Sequence, residues 1–307
     1  DFAMLSRRMK GILGISYTED IIENGMERLD LAENHYTEKE VKIDISVNSA
    51  TTNSNVMVEY GKNEIEKDMS LIFDLVDYVS YPQIVTLKPK SVQTVAFHVR
   101  MPNERFDGVL AGGITFQEIQ TEKDQTETKD QSLSIENEYT YIIALLMRQT
   151  LNEVAPNLTL HEVKPDQINA RNVILANVQN DQKTYINQVV IETKITKKGH
   201  SEVLYQEEKE GLQIAPNTNF SFPTALNGQP LTPGEYHLTM TVLGNENENG
   251  KFSRKKGNTT INYTNQWVFE KDFTIDGKVA KELNTTDVTI KKDNNWIYIL
   301  VASLFLL

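Results

Sequence analysis

Apolar and polar residues alternate with period two in stretch after stretch of this chain, and that pattern leaves little room for any fold class but β. After the turn pair Pro233-Gly234, Tyr236, Leu238, Met240 and Val242 fall on one side and His237, Thr239 and Thr241 on the other. Val41, Ile43, Ile45 and Val47 alternate with Lys42, Asp44 and Ser46, while Val95, Phe97, Val99 and Met101 form a third apolar face. Each reads as a strand with one buried side. Shorter strands are expected at 56–60 and 83–87, a glycine-rich one at 108–117 after a Phe-Asp-Gly turn, and an apolar one at 139–147. Beyond 157, strands are expected at 158–163, 168–178, 186–195, 203–207, 220–222, 236–242 and 267–275, enough for an immunoglobulin-like sandwich. A helical period is expected only as a short turn at 277–283.

The fold class is therefore all-β, with two tandem immunoglobulin-like β-sandwich domains, and 307 residues suffice for both. Two local features refine it. Gly112 and Gly113 weaken a strand unless backbone or side chain approaches closely there, so that point is expected to be crowded. Pro216 and Pro223 bracket residues 217–222, which suits an edge strand or strand-like loop because proline cannot donate to a ladder.

Composition excludes several functions. There are no cysteines, hence no disulfide framework, thiolate metal site or cysteine nucleophile. A net charge of -12 argues against nucleic acid as a partner, since phosphate neutralisation needs a basic face. A mean hydropathy of -0.43 excludes a multi-span membrane protein. His35, His98, His161, His200 and His237 stand alone, without metal-ligand spacing. Asn245, Asn247, Asn249 and Gly250 imitate the start of a calcium loop, but the twelfth position is Lys256, so a solvated hairpin tip is expected. Carboxylates such as Asp74 and Asp77 are scattered, and neither a nucleophile elbow nor a phosphate loop is present. No catalytic residue, cofactor or metal is expected. The amide and hydroxyl cluster over 48–55 offers donors and acceptors suited to sugar hydroxyls, although the same residue types dominate turns.

The last twelve residues, 296–307, carry no charge and begin with Trp296 and Tyr298. They are too few to span a bilayer, which takes ~20 apolar residues, and read as the start of a transmembrane helix, with a buried core strand or short helix as the alternative.

Several words of the sequence carry a family resemblance. Asn48-Ser-Ala-Thr-Thr-Asn-Ser-Asn55, Tyr60 and the run from Met101 through Phe106-Asp107-Gly108 to Gly112-Gly113-Ile114 are similar to the peptidoglycan-binding domain of the WxL-interacting proteins of Gram-positive bacteria. Ala215-Pro-Asn-Thr-Asn-Phe220, Pro230-Leu-Thr-Pro-Gly-Glu-Tyr236, the run from Trp267 to Ile275 and Ala280-Lys-Glu-Leu-Asn284 resemble the host-binding domain that follows it. The resemblance implies domains at 1–150 and 151–285, a juxtamembrane linker at 286–295 and the anchor at 296–307. It implies a non-enzymatic attachment protein on the extracellular face of the cell envelope, held in the plasma membrane by its C-terminal helix. Its partners would be peptidoglycan for the first domain and WxL-domain proteins or host extracellular-matrix proteins for the second. Glycan-binding candidates are then Asn48, Thr52, Asn53, Tyr60, Phe106, Asp107, Gly112 and Gly113; protein-binding candidates are Asn217, Asn219, Phe220, Tyr236 and Trp267.

The family's opening strand pair is matched here only by Met26-Glu-Arg-Leu-Asp-Leu31, so the first strands are expected to be either missing, which would leave the first sandwich an unpaired edge, or altered. The polar stretch 121–138 is expected to be a long hairpin loop, with a flexible inter-domain linker as the rival reading. A two-domain immunoglobulin-like assembly chaperone is the alternative function; it would need a cationic anchor in the cleft between its domains.

Overall fold

The computed structural model describes residues 16–22, 26–34, 40–119 and 140–290. The loop expected at 121–138 and the anchor expected at 296–307 lie outside them. Among the described residues no helix is long and apolar enough to cross a membrane.

The first sandwich packs two four-stranded sheets. One has the order β1 (Ser16–Ile22), β2 (Met26–Asn34), β8 (Val92–Arg100), β6 (Val79–Ser80). The other has β10 (Thr140–Met147), β9 (Leu110–Glu118), β3 (Val41–Ser49), β7 (Ile84–Leu87). A small ribbon of β4 (Thr51–Thr52) and β5 (Val58–Glu59) follows β3. Ile43, Ile45 and Val47 of β3 and Val95, Phe97 and Val99 of β8 are buried against one another's sheets, as their alternation requires.

Of the two expectations for the opening strands, missing or altered, the first is corrected: strands are present at Ser16–Ile22 and Met26–Asn34. β1 and β2 form a hairpin from Ser16↔Ala32 to Ile22↔Met26, and β2 pairs with β8 from Met26↔Arg100 to Asn34↔Val92. Local sequence there is weakly patterned, and the long pairing with β8 supplies what propensity does not.

The second sandwich has a three-stranded sheet, β11 (Thr159–Ile168), β12 (Arg171–Asn180), β15 (Thr218–Ala225), and a five-stranded one, β14 (Val203–Ile214), β13 (Ile186–Lys197), β16 (Gly234–Glu246), β18 (Thr259–Ile275), β17 (Phe252–Lys256). Its core includes Tyr236, Leu238, Met240 and Val242, all fully buried. β15 is an edge strand, and both edges of the smaller sheet hold a proline, Pro165 in β11 and Pro223 in β15.

Three expectations change in detail. The strand expected at 168–178 is divided: Asn169 (φ 50°) and Ala170 (φ 55°) make a tight turn between β11 and β12. An alanine in the left-handed region gives no turn signal in sequence. β17 and the first part of β18 add a hairpin that turns at Gly257 (φ 59°). The amide-rich stretch is instead the turn from β16 into β17, closed by the Gly250 N–H on the Asn247 carbonyl at 2.8 Å. The short helix is present as α1 (Gly277–Thr286), capped by the Asp276 carboxylate on the Lys278 and Val279 N–H groups. Ala280 of α1 plugs one end of the second core.

Candidate functional site

Many of the residues singled out in the two halves of the sequence, though not Phe220, Tyr236 or Trp267, converge on one place, the seam between the sandwiches. Thr52 is 1% exposed, and its neighbours are in the other domain. Its N–H donates to Thr218 Oγ1 at 3.0 Å, and its own Oγ1 accepts from the Ala215 N–H at 3.0 Å. The word beginning Asn48-Ser49 is thus tied to the word beginning Ala215-Pro216 by two buried hydrogen bonds, each leaving no orphan polar atom at that point.

Several other residues of the first word are held by contacts of their own. Ser49 donates to Asp74 Oδ1 at 2.8 Å and accepts the Leu75 N–H at 2.8 Å, holding the 3-10 turn Leu75–Tyr78 against β3. Ala50 packs with Ala111 and Ala215 in a small apolar cluster that crosses the seam. Thr51 Oγ1 accepts from Asn63 Nδ2 at 3.0 Å. Asn53 is half-buried; its side chain accepts the Asn55 and Met57 N–H groups and donates to Glu59 at 2.6 Å, which forms the tight turn between β4 and β5. That turn exists to present Val56. Val56 is fully buried within the core of the second sandwich, and its carbonyl accepts the Gln213 N–H at 3.1 Å. Its φ of 58° is unfavourable for a β-branched residue, at a cost of about 1–3 kcal/mol that the surrounding contacts must offset.

The glycines answer to the same crowding. A side chain on Gly112 would overlap the Asn48 carbonyl and Leu75, and one on Gly113 would lie 2.7 Å from the Tyr60 backbone oxygen. The Phe-Asp-Gly turn also faces the seam. Gly108 (φ 90°) has the Lys183 carbonyl against it, and that carbonyl accepts the Val109 N–H at 2.8 Å. Phe106 is buried against Phe73, with ring centroids 5.5 Å apart. Asp107 is exposed and accepts from Thr150 Oγ1 at 2.5 Å and Asn152 Nδ2 at 3.1 Å, which ties down the chain as it passes between domains. Tyr60 reaches across to Tyr185, hydroxyl to hydroxyl at 3.1 Å; burial first, then this contact, pushes the Tyr185 phenol up, so it stays neutral.

From the other side, Asn217 (φ 48°) donates through Nδ2 to the Ser70 carbonyl at 3.0 Å and the Asp181 carbonyl at 3.0 Å. Asn219 Nδ2 donates to Asp68 Oδ2 at 2.8 Å, and Gln179 Nε2 donates to the same carboxylate at 2.8 and 3.0 Å. Burial pushes the Asp68 carboxyl up, but hydrogen bonds from Ser70, Asn219 and Gln179 outweigh it and hold it below the usual carboxylate range. Phe220 and Tyr236 lie in the second core instead. Tyr236 stacks on Phe273 and donates its hydroxyl to the Thr232 carbonyl at 2.8 Å, bracing the strand's entry turn. Trp267 is half-buried beside the same core, near Gly244, whose missing side chain makes room for Ile186.

Sequence reading missed Val56, Asp68, Ser70 and Tyr185. No local signal marks them, because each acquires its role from residues more than a hundred positions away. Asn48, whose Nδ2 donates to Ser46 Oγ at 3.3 Å, remains half-exposed at the rim with Asn53. Exposed Met69 and Ile72 flank the Asp68–Ser70 turn. Among the described residues no His, Asp or Glu cluster could hold a metal ion.

Two family models match the chain. WxL Interacting Protein, peptidoglycan binding domain, covers residues 23–118, and WxL Interacting Protein, host binding domain, covers residues 130–285. The second match opens ahead of β10, although β10 pairs with β9 of the first sandwich. No curated protein matches. Similar solved structures include the Class 5 fimbriae chaperone CfaA, 13% identical over 83% of this chain and 99% of that one, TM-score 0.31. Another is the CsuC-CsuE chaperone-tip adhesion subunit pre-assembly complex of Acinetobacter baumannii, 10% identical over 83% and 97%, TM-score 0.35. Likeness at such scores carries no argument about this chain. The two domain matches, in their order and with their signature residues meeting at one seam, do: the chain belongs to the WxL-interacting protein family.

Proposed function

We propose that this protein is a non-enzymatic attachment module of the cell surface, holding peptidoglycan through its first sandwich and presenting its second to WxL-domain proteins or host matrix proteins. The observation that carries the reading is the succession of the two domain matches over most of the chain. In this reading the protein sits on the outer face of the envelope, and the uncharged run 296–307 begins its membrane anchor.

The seam gives the candidate residues two different roles. Thr52 and Asn217 are spent on joining the domains, and Gly112 and Gly113 on close packing within the first sandwich; all four act by fixing the shape of what surrounds them. Tyr60 is likewise committed to Tyr185, so direct contact with glycan falls to the half-exposed Asn48 and Asn53 and the exposed Asp107, whose amide and carboxylate groups suit sugar hydroxyls. The chaperone alternative needs an open, cationic cleft between domains, and Val56, Tyr60 and Tyr185 fill that space here.

Sedimentation of the intact chain with purified peptidoglycan tests the proposal. The protein is expected in the pellet, with Asn48→Ala weakening retention. A folded protein, shown by cooperative melting, that stays in the supernatant would refute it.

A further inference from the structure

We propose that the first sandwich takes up an extended, uncharged strand of a partner protein in the cleft between β7 and β8. β8 is paired with β2 along its whole length on one side, from Val92 to Arg100. On its other side, among the described residues, β6 reaches only Val99 and His98. The reason is Pro82: the chain leaves β8 after Ser80 and crosses to the opposite sheet, where it resumes as β7 on β3. The N–H and C=O groups of residues 92–97 on that side of β8 therefore have no ladder partner among the described residues.

Between the two edges lies an open cleft of about 560 Å³. Its floor includes Val85 and Val95, 5% and 2% exposed, and Ile84 stands at its mouth, 59% exposed. The cleft is preformed, because Tyr81 in its wall is fixed twice. Its ring stacks on Phe97 at 5.8 Å, and its hydroxyl accepts the Val47 N–H at 3.1 Å.

The choice of occupant follows from charge. Four other edges of this molecule carry features that deter strand addition: Arg254, Lys255 and Lys256 on β17, Glu207, Glu208 and Glu210 on β14, and prolines on β11 and β15; β10, the opposite edge of the β7 sheet, is uncharged as well. The facing segments Ile84-Val-Thr-Leu87 and Gln93-Thr-Val-Ala96 contain no charge, proline or glycine. A strand with small apolar side chains on the Val85 and Val95 floor and hydroxyls outward fits, whereas an ionised side chain facing inward would lose hydration without a partner. Because the open edge of β8 is recessed behind Tyr81 and Ile84, a single strand enters more readily than the edge of a second sandwich.

The test uses the full chain and a capped peptide of alternating threonine and valine, about seven residues long, which spans roughly 23 Å. Hydrogen exchange of the amides at 84–87 and 93–96 should slow about tenfold or more with the peptide. A peptide with lysine at the valine positions should have no effect, and Ile84→Lys or Thr94→Lys, both at exposed positions, should abolish the protection without changing the melting temperature. Absence of protection at millimolar peptide, protection on another strand, equal protection by the lysine peptide or in both variants, or protection that rises with protein concentration alone would each overturn the proposal.

Discussion

The two ends of the second sandwich are closed by the same device, obtained from different sources. At one end Ala280 of α1 enters the core, and Asn284 bridges the Leu231 backbone in both directions, accepting its N–H at 2.8 Å and donating to its carbonyl at 2.9 Å. At the other, Val56 enters the same core, and Thr52 forms the two-way bridge to Thr218 and Ala215. An apolar plug flanked by polar side chains that satisfy exposed backbone is the common solution to an open sandwich end. The difference is that the first plug belongs to the second domain and the second is lent by its neighbour. The host-binding domain is therefore incomplete alone, and the pair should behave as one cooperative unit.

The largest effect is expected at the borrowed plug. Val56→Asp places an unpaired carboxylate in the second core, a loss of about 3–5 kcal/mol. Calorimetry should show the single wild-type transition splitting in two, with the second sandwich melting first. Retention of one transition at nearly the wild-type temperature would remove the claim that Val56 couples the domains. Ala280→Asp, the counterpart at the far end, should lower stability without separating the seam.

A smaller effect follows from the bridges. Thr52→Val leaves the Ala215 N–H without an acceptor, for about 1–3 kcal/mol. In urea, Trp267 emission and a probe of the first sandwich should then cease to report the same midpoint. Asn284→Leu should cost a similar amount while the two probes stay coincident; the reverse outcome would exchange the roles of the two ends.

The smallest is electrostatic. Because the folded Asp68 carboxyl is held below its ordinary value, its contribution is fully present above that value and is lost as pH falls through the lowered one. Domain coupling, followed by urea midpoints, should weaken in acid. Asp68→Asn should reduce it by about 1 kcal/mol near neutrality and flatten the acid dependence. An unchanged acid dependence in that variant would assign the effect to another carboxylate.

Much of the fold was legible because alternation is a local property. The faces containing Ile43 to Val47 and Tyr236 to Val242 are buried as their spacing requires, and the edge placement of β15 follows from Pro223 within it and Pro216 just ahead of it. The opening hairpin was not legible, since β2 is held by its pairing with β8. Crowding at Gly112 and Gly113 was readable from the glycines, while the identity of the crowding groups, Asn48, Leu75 and Tyr60, was not.

By itself, the sequence determined strand character, the two-sandwich plan and the family words, all of which depend on residue type and short-range period. Only the tertiary structure decided that those words face each other. Thr52 and Thr218 are 166 positions apart, and no periodicity encodes a contact at that separation. It arises because two sandwich ends, each exposing backbone polar groups and apolar side chains, lose less by closing on one another than by facing water.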